Sequence, residues 1–137
     1  MRSDCVFFCT IRVRYGEVDK QGIVYNANYA IYTDIAFEEF LRSRGYAFKT
    51  LVEEYESEVC HKRSSFEYNA SAFEDDLLDV GVRVLNVGNS SFTLGFEVYR
   101  QGEDEPLVIA DAVYVGYDKH NRRSRPITDV MRKILQV

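Results

Sequence analysis

Apolar and polar residues alternate along five stretches of the chain and follow a helical spacing along three others. Alternation with a period of two predicts β-strands, here over residues 10–15, 60–69, 77–87, 91–101 and 107–118. Spacing of three and four residues predicts a long helix after residue 28, a shorter one over 48–55 and a third over 127–135. The predicted order is therefore strand, two helices, four strands and a terminal helix.

The long helix has little polar surface. Its apolar positions cover most of its circumference: Tyr29, Ile31, Tyr32, Ile35, Ala36, Phe37, Phe40 and Leu41. The polar stripe is narrow and consists of Asp34, Glu38 and Arg42. Asn28 is the expected N-cap, and Gly45 is the expected left-handed residue that ends the helix. Because such a helix needs cover on most sides, we expect one sheet to wrap around it.

The links between the later strands predict how these strands are paired. Residues 88–90 and 102–106 are short and contain glycine, which is typical of hairpins, so the four strands should be sequential and antiparallel. The last strand is apolar on both faces, so we expect another subunit to cover the outer face, most simply in a two-fold dimer. The pattern predicts an α+β fold in a single domain, 1–137.

Charge and composition narrow the function classes. The 17 basic and 22 acidic residues among 137 give a formal charge of −5, which disfavours a nucleic-acid partner. With 46% hydrophobic residues, the composition is that of a globular domain. No run of about 20 apolar residues and no signal peptide is evident, so we expect a cytoplasmic protein without an integral membrane segment.

The cysteines and histidines do not suggest a metal site. Cys5, Cys9 and Cys60 lack CxxC spacing and are expected to be buried thiols, and Cys60 has no evident partner that would make it a nucleophile. His61 is expected at a surface or interface and His120 in a solvated turn. Their spacing does not suit a metal, and we expect neither a metal nor a cofactor.

The segment before the long helix, residues 15–29, is the best candidate for chemistry. Asp19 and Gly22 form an Asp-x-x-Gly loop that leads into the helix, whose first turn carries unpaired N–H groups and the positive end of the dipole. A carboxylate opposite such donors is the minimum apparatus for acyl transfer, as nucleophile or as general base. From spacing alone, however, a turn-forming role for Asp19 is favoured over catalysis.

A family resemblance adds to this pattern. The run Asp19-Lys20-Gln21-Gly22-Ile23-Val24-Tyr25-Asn26-Ala27-Asn28-Tyr29, followed by Tyr32, Asp34 and Ala36, resembles the signature of hotdog-fold acyl-CoA thioesterases of the 4-hydroxybenzoyl-CoA thioesterase and YbgC-like type. The likeness extends over nearly the whole chain and includes Arg14-Tyr15, Phe66-Glu67-Tyr68 and Arg125-Pro126. It implies a hotdog fold, in which a five-stranded antiparallel sheet wraps around the central helix.

The resemblance also implies roles for individual residues. Asp19 occupies the catalytic carboxylate position, and the backbone N–H of Asn26 would bind the thioester carbonyl oxygen. Positions expected to contact substrate are Gly22, Tyr25, Asn28, Phe66, Ser90, Ser91 and Arg125. The substrate would be an acyl-CoA or acyl-carrier-protein thioester, hydrolysed without a cofactor. The site would lie at the interface of a homodimer, with two dimers forming a homotetramer.

Two departures from the family pattern keep an alternative open. YbgC-like members often carry His where this chain has Asn26, and an amide cannot exchange a proton near neutral pH. Benzoyl-type relatives bind the nucleotide phosphates with basic residues before the fourth strand, where this chain has Gly88-Asn89-Ser90-Ser91. Coenzyme A would then be bound by hydroxyls and backbone or by Arg122, Arg123 and Arg125, or a carrier-protein surface would take its place. The alternative is a non-catalytic hotdog module that binds acyl thioesters or acts as an assembly partner.

Other candidate acids and reactions are less favoured. Glu17 is expected to be a solvated loop residue. Asp34 and Glu38 are expected to form either a polar seam on the helix or a hydrogen-bonding support for the site. Tyr25, Tyr29 and Phe66 fit either an acyl pocket or core packing. A hotdog dehydratase is disfavoured, because neither histidine lies in the loop.

Overall fold

The computed structural model describes residues 2–136 and contains the predicted elements in the predicted order. The helices are α1 (Asn28–Ser43), α2 (Phe48–Tyr55) and α3 (Asp129–Ile134), and short 3₁₀ turns cover Arg2–Asp4 and Tyr15–Glu17. The strands are β1 (Phe7–Arg12), β2 (Val59–Tyr68), β3 (Leu77–Val87), β4 (Ser91–Arg100), β5 (Pro106–Asp118) and a two-residue β6 (Arg123–Ser124). The α+β composition is confirmed.

The strands form one antiparallel sheet in the order β1-β3-β4-β5-β2, with β6 paired to the end of β5. The prediction of sequential neighbours is confirmed for β3, β4 and β5 and is wrong for β2. Strand β1 occupies the free edge of β3, where Phe7 pairs with Val82, so β2 crosses to the opposite edge and pairs with β5. The crossing follows from α1 and α2, which connect β1 to β2 across the inner face of the sheet.

Strand β1 lies three residues earlier than the alternation predicts, at 7–12 instead of 10–15. Residues 5–9 are apolar at consecutive positions, and this run conceals their alternation. Phe7 and Cys9 pack against the core, whereas Phe8 lies on the outer face beneath the guanidinium of Arg2, 5.3 Å from its ring. The first three residues of β1 are therefore partly buried on both faces.

Helix α1 packs along the inner face of the sheet. The predicted stripe is buried, with Tyr29, Tyr32, Ala36 and Phe40 at most 3% exposed, and burial of each large side chain stabilises the fold by about 1.5–3 kcal/mol. The side chains that face α1 from β3, β4 and β5 are also buried: Val80, Val82, Leu94, Phe96, Val98, Val108 and Ala112. The expectation of an almost fully covered helix is wrong, because Ile31 and Ile35 are 54% and 36% exposed.

The two ends of α1 differ from one another. At the C-terminal end, Gly45 has the predicted left-handed φ of 94°, and the N–H groups of Gly45 and Tyr46 donate to the carbonyls of Arg42 and Leu41. At the other end, Asn28 is the first helical residue and Ala27 is the N-cap. The prediction of Asn28 as N-cap is wrong, because its side chain is needed elsewhere, as described below.

The outer face of β5 is partly open. Ile109 is 41% exposed, and Val113 and Val115 are half-buried. The N-terminal turn covers a neighbouring part of the sheet, where the Arg2 guanidinium lies 4.2 Å from the ring centre of Tyr99. Cover of the remainder by another subunit stays a prediction. None of the helices in residues 2–136 is long and apolar enough to cross a membrane.

Candidate active site

The Asp19 loop is a tight hairpin turn. Val18 and Val24 form a β-bridge, and the N–H of Asp19 donates to the carbonyl of Ile23 at 2.9 Å. The N–H of Gly22 donates back to the carbonyl of Asp19 at 2.9 Å, which closes a four-residue turn. Gly22 has a φ of 80°, a conformation that glycine adopts at little cost. The Asp-x-x-Gly spacing therefore sets the position of Asp19.

The Asp19 carboxylate is half-buried and keeps one oxygen available. Its Oδ1 accepts a hydrogen bond from the N–H of Gln21 at 2.8 Å, an Asx interaction within the turn. Within the described residues, Oδ2 accepts no hydrogen bond. The turn-forming role and a chemical role are thus compatible, because the two oxygens can divide them.

Glu17 differs from the sequence-based expectation of a solvated residue. Its Oε1 accepts hydrogen bonds from the Tyr32 hydroxyl at 2.8 Å and from the Arg14 N–H at 2.9 Å. Its carbonyl accepts from the Tyr25 N–H and from the Asn28 side-chain amide, both at 2.9 Å. Glu17 thus fixes the loop to the first turns of α1. Tyr32 lies at an apolar position of the helix stripe, so no local pattern indicates its hydrogen bond to a residue fifteen positions earlier.

The start of α1 presents unpaired backbone donors. The N–H of Asn28 is used by the carbonyl of Tyr25 at 2.9 Å. In the described part of the chain, the N–H groups of Asn26 and Ala27 make no hydrogen bond, and both residues are exposed. These are the orphan donors expected where a helix begins, and they lie at the positive end of its dipole. Ala27 is the N-cap and Asn26 directly precedes it, so the two donors are on consecutive residues at the entry to α1.

The loop is anchored to the chain before β3 and is surrounded by aromatic side chains. The N–H of Val24 donates to the carbonyl of Ala72 at 2.9 Å. Tyr25 is 54% exposed beside this anchor. Phe66 is partly buried in β2 and stacks on Tyr68, whose ring centre lies 5.7 Å from that of Tyr29 in α1. Tyr25 and the end of β2 are therefore close to the start of α1.

Three of the predicted substrate contacts lie elsewhere in the chain. Ser90 and Ser91 are at the start of β4, whereas Arg100 at its end donates to the carbonyl of Ser71, next to the loop anchor. Ten residues of β4 span roughly 33 Å. Arg125 lies beside Ser90 and donates to the carbonyl of Glu56. A single chain thus does not bring these residues to Asp19, and their role stays a prediction that requires a second subunit.

The remaining candidates do not form a second centre of known type. No group of three potential metal ligands occurs among residues 2–136. His61 is exposed and lies 4.0 Å from Asp34, and His120 is in an exposed turn. The three cysteines are free and half-buried rather than fully buried, and burial raises the pKa of Cys5 to about 11.

Comparison with known proteins places the chain in a family. Residues 13–135 match the model of the thioesterase-like superfamily. A protein of Aquifex aeolicus that carries the name of an esterase is 32% identical over 90 residues, which are 66% of this chain and 70% of that protein. The acyl-CoA thioesterase YbgC of Haemophilus influenzae is 35% identical over 81 residues, covering 59% of this chain and 60% of its own length.

Solved structures show the same fold. A crystal structure of an Aquifex aeolicus protein superimposes with a TM-score of 0.87 at 27% identity, covering 95% of this chain and 99% of that one. A variant of 4-hydroxybenzoyl-CoA thioesterase in complex with 4-hydroxybenzoyl-CoA gives 0.83 at 20% identity, with 95% and 98% coverage. The expected hotdog fold is confirmed. The chain therefore belongs to the thioesterase-like superfamily, has the hotdog fold, and is similar in sequence to YbgC acyl-CoA thioesterases.

Proposed function

We propose that this protein hydrolyses acyl-CoA thioesters to a free acid and a thiol at the Asp19 loop. The observation that carries the proposal is the combination of a carboxylate with one open oxygen and two unpaired amides at the start of the same helix. A carbonyl oxygen bound by the N–H groups of Asn26 and Ala27 would gain negative charge where donors and dipole stabilise it. A thioester carbonyl is less stabilised by its sulfur than an amide carbonyl is by nitrogen, so this small apparatus suffices.

Asp19 serves in one of two ways. As a general base, Oδ2 takes a proton from water as the water oxygen bonds to the carbonyl carbon; the C–S bond then breaks and the thiolate takes up a proton. As a nucleophile, Oδ2 bonds to the carbonyl carbon and expels the thiolate, and water then hydrolyses the mixed anhydride. Either route consumes one water and yields one acid and one thiol. Both routes need the same oxygen and the same two donors.

Glu17 and Tyr32 position the loop and do not react. Burial and the hydrogen bond to Glu17 raise the pKa of Tyr32 well above its ordinary value, so the phenol stays a donor throughout the neutral range. The Glu17 carboxylate accepts both of its hydrogen bonds at Oε1, which tie it to Tyr32 and Arg14 in a positioning role. Asp19 is preferred as the reacting acid because it occupies the catalytic carboxylate position of the family it resembles and makes its one hydrogen bond within its own turn.

We also propose that the protein forms a homodimer and that two such dimers form a tetramer. Strand β2 is ten residues long, lies at a sheet edge, and is mostly exposed, which suits pairing with a second copy. Such a copy would supply contacts for the thiol carrier from Ser90, Ser91 or Arg125, which one chain keeps far from Asp19. Analytical ultracentrifugation should give a mass of twice or four times 15.9 kDa. A cytoplasmic location, which suits three free cysteines, is part of the same proposal.

The experiment is thiol release from a panel of acyl-CoA and acyl-carrier-protein thioesters, followed with a thiol-trapping reagent. We expect turnover of at least one acyl-CoA, and the Asp104→Asn variant in the exposed turn after β4 should match wild type. Thiol release from carrier-bound substrates alone would mean that the acyl group is delivered on a carrier protein and not on CoA. Binding by calorimetry without turnover on either panel would overturn the proposal in favour of a non-catalytic acyl-thioester module, which Asn26 in the place of His keeps in view.

A further inference from the structure

The chain between β2 and β3, residues 69–76, is bonded directly to the Asp19 loop, and we call it the β2–β3 segment. The N–H of Val24 in the loop donates to the carbonyl of Ala72 in the segment at 2.9 Å. The preceding residue, Ile23, accepts a hydrogen bond from the N–H of Asp19, also at 2.9 Å. Because these bonds are on adjacent residues, the position of the segment determines the position of the loop.

The two ends of the β2–β3 segment are fixed by backbone hydrogen bonds. At one end, the N–H groups of residues 69 and 70 donate to the carbonyl of Leu107. At the other end, residues 75 and 76 exchange two hydrogen bonds with Val13. Between these ends, the backbone of residues 71–73 makes no hydrogen bond to the main sheet within the described chain. The part of the segment that is bonded to the Asp19 loop therefore depends on side chains to hold it.

Arg100 contacts this middle part at three places. It is the last residue of β4, two positions after the inward-facing Val98, so its side chain lies on the same face of the sheet. Its Nη2 donates to the carbonyl of Ser71 at 2.7 Å, and its Nε donates to Oδ2 of Asp76 at 3.1 Å. Its guanidinium carbon lies 5.7 Å from the ring centre of Phe73. One planar group thus joins the middle of the segment to its end.

The acceptors of Arg100 explain why this position needs an arginine. Oδ2 of Asp76 also accepts a hydrogen bond from the N–H of Phe73 at 2.8 Å, so the carboxylate connects the guanidinium to the turn. The side chains of Arg100 and Asp76 are only 26% and 21% exposed. A lysine ammonium keeps the charge but lacks the rigid fork that reaches two acceptors at once. Glu103 accepts from Arg100 as well, at 3.1 Å, but makes no hydrogen bond to the segment within the described chain.

We propose that Arg100 is a positioning residue for the hydrolysis: it holds residues 71–73 in place and, through them, the Asp19 carboxylate. This rests on the proposed thioesterase function. Arg100 acts at a distance, because its contacts are with the segment and not with Asp19. Without it, the turn keeps its internal hydrogen bond from the Gly22 N–H, but the loop is free to shift relative to the start of α1. A misplacement of about 1 Å is enough to lower the rate of a positioned reaction.

The kinetic test combines Arg100→Gln with Asp19→Asn, at a temperature where circular dichroism shows each variant to be folded. We expect Arg100→Gln to lower kcat for the best acyl-CoA about tenfold and to change KM less than about twofold, because it misplaces the carboxylate and not the substrate. In the Asp19→Asn background, the same change should lower kcat less than about twofold, because the carboxylate is already gone. Glu103→Gln is the matched control and should keep the kcat of wild type.

A second measurement does not depend on turnover. Amide hydrogen exchange at Val24 reports its bond to the segment, whereas exchange at Gly22 reports the bond within the turn. We expect Arg100→Gln to speed exchange at Val24 about tenfold and to leave Gly22 unchanged. Arg100→Lys keeps the charge beside Asp76, so it should fold as wild type does and show the same change at Val24 to a smaller degree.

Two results would overturn the assignment of Arg100. One is exchange at Val24 that is equal in wild type and in both Arg100 variants. The other is a fall in kcat that is as large in the Asp19→Asn background as in wild type, because Arg100 would then act on something other than Asp19. Absence of thiol release in wild type, with the difference in exchange at Val24 intact, would instead count against the proposed hydrolysis alone.

Discussion

Buried polar groups are hydrogen-bonded to one another at the start of α1, whereas one beside the middle of α1 is not. At the start, Glu17, Asn28 and Tyr32 satisfy one another, and what remains open is the carboxylate of Asp19 and two backbone amides. In the middle, the buried hydroxyl of Tyr114 has no partner within the described chain. In the first arrangement the polar groups that hold the loop are satisfied and the open oxygen and amides face outward, whereas in the second one buried hydroxyl keeps no acceptor from the described chain. The difference separates a region arranged for reaction from a region arranged for packing.

The largest expected effect comes from Asp19→Asn, which keeps the acceptor for the Gln21 N–H but removes the base or nucleophile. We expect kcat for the best acyl-CoA to fall by about 10²–10⁴-fold, while the free energy of unfolding stays within about 0.5 kcal/mol of wild type. Steady-state kinetics and urea unfolding measure the two quantities. A kcat within threefold of wild type would show that another group supplies the chemistry.

Glu17→Ala should lower stability more than activity, which is the opposite of Asp19→Asn. It leaves the Tyr32 hydroxyl and the Arg14 N–H without their acceptor, so we expect a loss of about 3 kcal/mol in the free energy of unfolding. Glu53→Ala, an exposed position of α2, is the control and should change stability little. Activity at low temperature, where the variant is folded, should fall less than in Asp19→Asn. An unchanged urea midpoint would contradict the positioning role.

Stability should decline in alkaline solution because of the buried tyrosines. Burial raises the folded-state pKa of Tyr32 and Tyr114 above the ordinary value near 10, so the unfolded chain loses these protons first. The contribution of these two phenols to the free energy of unfolding is fully present below about pH 10. Above that pH it falls by up to about 1.4 kcal/mol per pH unit for each tyrosine. Urea unfolding at pH 8 and pH 11 measures the decline, which Tyr114→Phe should reduce. A midpoint independent of pH would refute this account.

The smallest expected effect comes from the turn glycine. Gly22→Ala forces a side chain into a φ of 80° and should cost about 1 kcal/mol, with a slight displacement of Asp19 and a modest loss of kcat. Gly16→Ala is the matched control, since Gly16 has no positive φ and a new Cβ there meets no atom within 4 Å. Equal stabilities of the two variants would mean that the left-handed turn contributes nothing.

The sequence predicted most of the fold and part of the site. The boundaries of β3 and α2 and the end of α1 at Gly45 followed from local periodicity and helix-ending chemistry, which depend on near neighbours. The placement of β2 beside β5 and the bond from Tyr32 to Glu17 depend on tertiary contacts, which no local pattern encodes. Likewise, Tyr114 lies at an apolar position of the strand pattern, and the lack of a hydrogen-bond partner for its hydroxyl shows only in the folded structure.

The most direct test of the account is the crystal structure of the Asp19→Asn variant with an uncleaved acyl-CoA. We predict that the thioester carbonyl oxygen lies about 3 Å from the backbone nitrogens of Asn26 and Ala27 and that the side chain of residue 19 faces the carbonyl carbon. A thioester bound at another place, with those two amides left to solvent, would contradict it.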